Sequence, residues 1–384
     1  MSRAVPIRSF PGMTRKRILT AVLTLAVAAG LGVTALDANA EAPPKLPGAE
    51  LQAGLDALVD GGAASAALLR VDDGRSHWSG AAGTAELNGS APADPRGHFR
   101  IGSVTKSFVA TVVLQLVDEG LLGLDDPIGE HLPGLVPGGG DITVRQILDH
   151  SSGLHDYMSE PGMSTNRWRG DARFDSYEPG ELLDIAFATT PDEPEPGWHY
   201  SNTNYIVAGV LVERLTGNTL ADEIGARILD PLRMRHTSLP GDDPSVPEPH
   251  AHGYTTVDGA FVDATEQNPS LDWAAGEMIS TTADLNRFFG ALLGGRLTSP
   301  EALQAMRTTV PTGTIFEYGL GLQEFALPCG TTATGHGGQL LGYLTYSLRT
   351  DDGRVATLNY NPYERGATQE EITSILATAL CRAA

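Results

Sequence analysis

The 384-residue sequence predicts a mixed α/β (α+β) fold. In this fold an antiparallel sheet is built from both termini, is flanked by helices and is interrupted by an inserted, mainly α-helical region. Two observations support the prediction. Strand-like segments occur early, at 63–71 and 77–84, and again in the C-terminal part of the chain. The long region between them contains helical patterns separated by loops rich in Pro, Asp and Glu.

The first forty residues have the pattern of a secretory signal peptide. Arg15-Lys16-Arg17 precede an apolar run at 18–33, and Ala38-Asn39-Ala40 form a small-x-small cleavage pattern. A transmembrane anchor is the alternative, but the run is shorter than the roughly 20 residues that a membrane span requires. We therefore expect 1–40 to be removed, 41–50 to be a Pro-rich linker, and the mature protein to be secreted without a stable membrane anchor.

Local patterns predict the first hairpin and the helices. A short amphipathic helix is expected at 51–58, and the turn Asp72-Asp73-Gly74 joins the first two strands. From residue 104 to 119 apolar residues recur at helical spacing, and Gly120 ends that helix. Further helices are expected at 143–150, 201–216 and 281–293.

The C-terminal part contains four predicted strands and a closing helix. The strands are expected at 318–325, 332–337, 341–349 and 354–360, and the helix at 370–382. The turn Asp351-Asp352-Gly353 joins the last two strands. Cys329 and Cys381 are a candidate disulfide in an exported protein, and two unpaired buried thiols are the alternative.

The charge balance excludes several classes of function. The chain has 47 acidic and 26 basic residues, and a formal charge of −21. Loss of 1–40 removes five basic residues and one acidic residue, which gives a mature charge of −25. Such a chain is not suited to binding nucleic acid or an anionic membrane surface. Without a CxxC or HExxH motif, no metal or other cofactor is expected.

The positions of the lysines indicate where a catalytic base could lie. The chain has three lysines, Lys16, Lys45 and Lys106, and only Lys106 falls in the predicted folded domain. Lys106 follows Ser103 by three residues, so both side chains share one face at a helix start. A desolvated lysine has a lowered pKa and can take the serine proton, which an arginine cannot do. The spacing alone also fits an ordinary helix start with a solvated lysine.

Two further motifs contain candidate site residues. Tyr200 can shuttle protons, and Asn202 can donate a hydrogen bond to a substrate amide. His336 lies in Gly335-His336-Gly337-Gly338, where the glycines permit close approach of a ligand. Taken alone, the first motif also fits a capped helix start, and the second fits a strand-edge histidine.

In this order, the three motifs resemble those of the penicillin-recognising serine enzymes, the superfamily of serine β-lactamases and penicillin-binding proteins. That superfamily carries Ser-x-x-Lys, then Tyr-x-Asn, then Lys/His-x-Gly. The stretches 143–154, 200–217, 274–289 and 335–348 are similar to the same group, and the similarity covers about residues 50–382. The histidine and the cysteine placement are most similar to the class C-like, secreted D-alanyl-D-alanine carboxypeptidases of actinomycetes.

The resemblance implies a β-lactamase/transpeptidase-like serine hydrolase domain over 51–384. Its α/β part would occupy about 51–102 and 275–384, and its helical insert about 104–270. The implied activity is that of a serine carboxypeptidase on D-Ala-D-Ala stem peptides of the cell wall, with β-lactams as acylating inhibitors. We expect the enzyme to be a monomer.

The resemblance also implies roles for individual residues. Ser103 would be the nucleophile, Lys106 and Tyr200 would handle its proton, and His336 would supply positive charge where relatives have lysine. Backbone N–H groups of Ser103 and Gln339 would form the oxyanion hole. The implied substrate-binding residues are Asn202, Gly337, Gly338, Gln339 and Trp273.

Three positions depart from the carboxypeptidase pattern. Gln323 stands where that pattern has an arginine that meets the substrate carboxylate, and Gly337 and Gln339 each replace a threonine. Their loss removes charge-assisted and hydroxyl contacts to a terminal carboxylate. A carboxylesterase or a β-lactamase on the same fold therefore remains an alternative, as does a catalytically silent penicillin-binding or sensor protein.

Overall fold

The computed structural model describes residues 46–188 and 198–382. The predicted signal peptide and residues 41–45 of the predicted linker lie outside the described residues. The last three predicted linker residues, 48–50, belong to a helix that begins at Gly48. Within the described ranges, no helix is both long enough and apolar enough to cross a membrane.

The secondary structure alternates between strands at both ends and helices between them. The strands are β1 (Ala64–Asp72), β2 (His77–Gly83), β3 (Phe99–Arg100), β4 (Tyr254–Val257), β5 (Ala260–Asp263), β6 (Ile279–Ser280), β7 (Val310–Pro311), β8 (Phe316–Tyr318), β9 (Gln323–Ala326), β10 (Thr332–Leu340), β11 (Tyr343–Thr350) and β12 (Val355–Pro362). The helices are α1 (Gly48–Asp60), α2 (Thr105–Asp118), α3 (Ile128–His131), α4 (Val144–Leu148), α5 (Pro179–Ala188), α6 (Thr203–Thr216), α7 (Leu220–Ile224), α8 (Asp230–Leu232), α9 (Trp273–Gly276), α10 (Thr282–Leu292), α11 (Pro300–Arg307) and α12 (Gln369–Leu380).

The two ends of the chain meet in one large sheet. In the described part of the chain, eight strands follow the order β2-β1-β12-β11-β10-β9-β8-β7, and the paired strands are antiparallel. Strand β1 pairs with β2 on one side and with β12 on the other, so the N-terminal hairpin joins the C-terminal strands directly. The predicted fold class is confirmed.

Helices cover both faces of this sheet. Along β12, Ala356 and Leu358 belong to the apolar cluster that contains α1 and α12. Thr357, between them, donates a hydrogen bond to Asn286 of α10 (2.6 Å). Because successive side chains of a strand point to opposite faces, α1 and α12 cover one face and α10 covers the other.

Helix α2 runs through the centre of the larger core. Eleven of its 14 residues are buried, so it is surrounded by protein rather than lying on the surface. Phe108 of α2 stacks on Phe288 of α10 with ring centroids 3.7 Å apart. The polar side chains in the first turn of this helix are therefore buried in the protein interior.

Two features of the fold differ from the sequence prediction. The predicted strand 318–325 is divided into β8 and β9 by a turn, in which Gly319 N–H donates to the Leu322 carbonyl (2.7 Å). Gly321 in this turn has φ +70°, a conformation that glycine adopts without strain. The helical region also contains the hairpin β4–β5, which the sequence did not predict.

The two cysteines are disulfide-bonded. Cys329 lies in the turn between β9 and β10, and Cys381 directly follows α12, with Cα atoms 6.2 Å apart. The bond fastens the C-terminal helix to the end of the strand pair that carries the third motif.

Removing this disulfide should lower the free energy of unfolding without abolishing activity. The chain-entropy model gives about 4 kcal/mol at most for a bridge that spans 52 residues. We expect denaturant unfolding of the Cys329→Ser/Cys381→Ser variant to match that of the reduced wild type and to have a lower midpoint than the oxidised wild type. Equal midpoints for the variant and the oxidised wild type would contradict the stabilising role.

Candidate active site

Ser103 lies where a short 3-10 turn, Gly102–Val104, leads into α2. Two glycines allow this turn to approach β10 closely. Gly102 has φ +51°, and a Cβ there would lie within 2.9 Å of the Gln339 backbone. A Cβ on Gly338 would lie 1.9 Å from the Ile101 carbonyl oxygen. The approach brings Ser103 and Gln339 into the lining of the same cleft.

Lys106 is fully buried one helical turn after Ser103. Its Nζ lies 3.1 Å from Ser103 Oγ, 2.8 Å from Asn202 Oδ1 and 2.7 Å from the Ala275 carbonyl oxygen. A neutral amine has two N–H donors and one lone pair. The two donors match the amide and carbonyl oxygens, which directs the lone pair at the Ser103 hydroxyl.

Burial decides the charge state of Lys106. Desolvation lowers the pKa of its amine to about 7, against the opposing attraction of Asp156 and Asp272. A large fraction of the protein therefore carries a neutral Lys106 at neutral pH. The solvated lysine of the alternative interpretation is excluded by this environment.

The second motif lies directly against Lys106. The Tyr200 ring lies 4.9 Å from Lys106 Nζ, and its hydroxyl is buried without a well-oriented hydrogen bond to any described residue. Burial raises the Tyr200 pKa above its ordinary value, and the Ser103 hydroxyl nearby offsets only part of the increase. The Asn202 amide nitrogen donates to Asp156 Oδ2 (3.0 Å), which orients its oxygen towards Lys106. Tyr200 therefore stays protonated, and Asn202 holds the amine.

His336 lies behind the cleft wall and is uncharged. Its ring is fully buried and takes part in a hydrogen bond with the Tyr318 hydroxyl (2.8 Å). Burial lowers the pKa of His336 to about 3, and the nearby charge of Lys106 contributes to the decrease. This environment opposes the predicted positive charge on His336, because a desolvated imidazole favours its neutral form.

A directed chain of hydrogen bonds gives His336 a positioning role. Ser201 N–H donates to His150 Nδ1 (3.2 Å), so the proton of His150 is on Nε2 and is donated to Tyr318 Oη (3.2 Å). Tyr318 in turn donates to His336 Nε2, and His336 Nδ1 donates to the Gly337 carbonyl. The chain links the second motif to the third.

The cleft in front of Ser103 has a volume of about 350 Å³ and two walls. The helical region contributes Met158, Asn166, Tyr200, Asn202 and Asp272. The sheet contributes Phe316, Gln323, Phe325, Leu344 and Tyr346, together with Gly337, Gly338 and Gln339. Six predicted site residues thus line the cleft, whereas Lys106 and His336 lie behind it.

Trp273 does not line the cleft, contrary to the sequence prediction. Its side chain packs on α6, where a Cβ on Gly209 would lie 2.8 Å from the indole ring. The preceding residue, Asp272, is in the lining instead. Sequence reasoning missed Asp272 because a single acidic residue before a short helix carries no periodic or motif signal.

Gln323 occupies the place expected for a carboxylate-binding arginine. Its Oε1 accepts a hydrogen bond from Gly337 N–H (2.7 Å), which fixes the amide at the cleft edge. Among the described residues that line the cleft there is no arginine or lysine. The described part of the cleft lining therefore offers no cationic side chain to a substrate carboxylate.

The comparison with family models identifies the chain. The beta-lactamase family model matches residues 48–372. The chain belongs to this family. Penicillin-binding protein 4* of Bacillus subtilis is 28% identical over 75% of this chain and 66% of the relative. Esterase EstB of Burkholderia gladioli is 34% identical over 52% of this chain and 54% of the relative. The chain thus spans about half to two thirds of the length of these curated relatives.

Among solved structures, a D-stereospecific amidohydrolase from a Streptomyces species superimposes with a TM-score of 0.80 and 36% identity, over 89% of this chain and 100% of that chain. The chain thus resembles a protein named as an esterase in sequence and one named as an amidohydrolase in fold and sequence. Together with the family match, they support a serine hydrolase.

The pKa of Lys106 predicts a pH dependence. Only a neutral amine accepts the Ser103 proton, so kcat/KM for a p-nitrophenyl ester should rise with pH below about 7 and level off above it. Lys106→Arg keeps a positive charge at this position but cannot act as a base. Its activity should be at least about 100-fold lower than that of the wild type. A wild-type profile that is flat between pH 5 and 8 would contradict the assignment.

The close contact at Gly338 predicts a second effect. In Gly338→Ala the new methyl group meets the Ile101 carbonyl, so β10 must move away from Ser103. We expect lower ester turnover and a lower midpoint of thermal unfolding. Gly337→Ala is the matched control, because the nearest atoms to its Cβ would be the Gln323 side chain at 3.2 Å and the Tyr346 ring at 3.5 Å, and none of them belongs to the backbone. Wild-type turnover by Gly338→Ala would show that the close approach is dispensable.

Proposed function

We propose that the protein is a serine amidohydrolase that cleaves amides of D-configured acyl groups through an acyl-enzyme on Ser103. The observation that carries the proposal is the buried, neutral Lys106 amine directed at the Ser103 hydroxyl. The likeness to the D-stereospecific amidohydrolase supports the amide bond and the stereochemistry. The lack of a cationic lining residue among those described supports a leaving group without a carboxylate.

Acylation begins when Ser103 Oγ attacks the substrate carbonyl carbon and its proton passes to the Lys106 amine. The carbonyl oxygen becomes an oxyanion, which the backbone N–H groups of Ser103 and Gln339 stabilise. Tyr200 then gives its hydroxyl proton to the leaving nitrogen and takes the proton from Lys106. The C–N bond breaks, the amine leaves, and Lys106 is neutral again.

Deacylation repeats the sequence with water as the nucleophile. Water attacks the ester carbonyl and gives a proton to Lys106, the bond to Ser103 Oγ breaks, and the proton returns to that oxygen. The product is a carboxylic acid. Asn202 keeps the amine of Lys106 oriented throughout, since its own amide is held by Asp156.

Ester hydrolysis is the second candidate function, and Gln323 is the observation that favours it. An ester needs no carboxylate clamp, and the relative EstB is named as an esterase. The carboxypeptidase activity expected from the resemblance has less support, because a terminal carboxylate would meet Gln323 and Gly337 instead of an arginine and a threonine. We also propose that β-lactams acylate Ser103. The protein is further proposed to be secreted and monomeric.

Substrate competition tests the proposed function. We expect ammonia release from D-phenylalaninamide to exceed release from its L-enantiomer. D-alanine release from a diacyl-Lys-D-Ala-D-Ala peptide should be at least about tenfold slower than ammonia release from D-phenylalaninamide. The reason is that Gln323 stands in place of an arginine that would bind the terminal carboxylate. Faster D-alanine release than amide hydrolysis would favour the carboxypeptidase.

Ser103→Ala is the control for the nucleophile. This variant should lose at least about 1,000-fold in turnover and should show no mass increase with a labelled penicillin, whereas the wild type should gain one adduct. Equal labelling of the two proteins, or undiminished turnover by the variant, would refute the role of Ser103.

A further inference from the structure

A second cavity adjoins the active-site cleft, on the face of the sheet that α12 covers. It has a volume of about 140 Å³ and is lined mainly by residues of β9, β11 and α12. Three residues line both this cavity and the cleft in front of Ser103: Ile315, Phe325 and Tyr346. A substrate bound in the cleft can therefore extend into this smaller space, which we call the distal pocket.

The distal pocket is suited to an apolar group. Leu348 of β11 and Leu376 of α12 are buried in its lining. Helix α12 also contributes Gln369 and Thr373, whose side chains hydrogen-bond to each other (3.2 Å). No charged residue is among the described residues that line this pocket. Because an apolar cavity of about 150 Å³ binds one benzene molecule, the pocket has room for about six carbon atoms.

A continuous series of aromatic rings leads from Tyr200 to the distal pocket. The Trp198 ring lies next to those of Tyr200 (6.1 Å between centroids) and Phe316 (6.2 Å). Phe316 in turn lies next to Phe325 (5.6 Å), and Phe325 lies next to Tyr346 (6.3 Å). In the proposed reaction Tyr200 protonates the leaving nitrogen, so this aromatic surface begins where the leaving group departs. The distal pocket therefore lies on the leaving-group side of the cleft.

The register of the sheet gives the distance that a leaving group must span. Gln339 supplies a proposed oxyanion N–H group, and Gly337 and Gly335 follow it on the same face of β10. Gly337 is paired with Tyr346, at the start of the pocket, and Gly335 is paired with Leu348, inside it. Two residues of strand cover about 7 Å and four cover about 14 Å. Since an extended chain covers about 1.2 Å per bond, a leaving group reaches the pocket after about six bonds and fills it after about twelve.

We propose that the distal pocket binds an apolar tail on the leaving amine. The substrate class is then an amide of a long-chain alkylamine, with a tail of about eight to twelve carbon atoms. This inference rests on the proposed function and adds a leaving-group subsite to it. Each methylene that enters the pocket is removed from water, so kcat/KM should rise by about threefold per methylene until the pocket is full.

The test varies the leaving amine and keeps the acyl group constant. Wild type should release D-phenylalanine from its N-decyl amide with a kcat/KM about 10- to 100-fold higher than from its N-hexyl amide. Thr373→Trp places an indole in the pocket and should reduce this ratio to within about threefold of one. The same variant should hydrolyse D-phenylalaninamide within about threefold of the wild-type rate, because that substrate does not reach the pocket.

Two further variants control for an effect on α12 itself. Ser374→Trp is the matched control, because Ser374 is an exposed residue of the same helix and does not line the pocket. It should keep the wild-type ratio of the two amides. Gln369→Trp introduces the indole from an exposed position at the start of α12 and should reduce the ratio as Thr373→Trp does. A ratio that neither blocking variant changes would overturn the inference.

A second pair of substrates distinguishes the two sides of the cleft. p-Nitrophenyl hexanoate and decanoate vary the acyl chain and keep the leaving group constant, and Thr373→Trp should leave their kcat/KM ratio unchanged. If the variant lowers this ratio and not that of the amides, the pocket binds the acyl chain and the inference is overturned. Either result leaves the proposed function standing as long as wild type hydrolyses D-phenylalaninamide and Ser103→Ala does not. Absence of Ser103-dependent hydrolysis of every amide would overturn the proposed function and the inference together.

Discussion

The desolvation of one amine governs the chemistry of this protein. Lys106 lies in the first turn of a helix that is buried almost throughout its length, and this burial lowers its pKa to about 7. A lysine on a solvated helix would remain charged and could not take a proton from Ser103. The core packing around α2 is therefore also a condition for catalysis, since it keeps water away from the amine.

The site is assembled from three distant segments, and close backbone contacts hold them together. Gly102 and Gly338 allow the turn that carries Ser103 to lie against β10. The neutral chain from His150 through Tyr318 to His336 links the second motif to the same strand. In the superfamily pattern the third motif carries a lysine or a histidine. Here the buried histidine favours its neutral form and hydrogen-bonds to Tyr318 and to the Gly337 carbonyl.

Specificity in this site is separate from the acyl-transfer machinery. The residues proposed to move protons belong to the first two motifs, whereas the proposed determinants of acyl and leaving group lie in the cleft walls. Gln323, a neutral amide bonded to Gly337, stands in the cleft wall where the carboxypeptidase pattern has an arginine, and the Asp272 residue lies on the helical side of the same cleft.

Much of the fold was predictable from local sequence patterns. The hairpin β1–β2, the helix α2 and the strands β10–β12 follow from periodicity and turn residues that act over a few positions. The split between β8 and β9 was not predicted, because two glycines allowed a turn whose formation depends on the neighbouring strands.

The sequence by itself determined the family and the residues Ser103, Lys106, Tyr200 and Asn202, since these motifs lie at fixed short spacings. Only the tertiary structure decided the charge states of Lys106 and His336, because desolvation depends on packing between residues distant in sequence. It also decided that Asp272 rather than Trp273 lines the cleft. The orientation of a side chain at a helix start is set by what packs around it, and no local pattern encodes that packing.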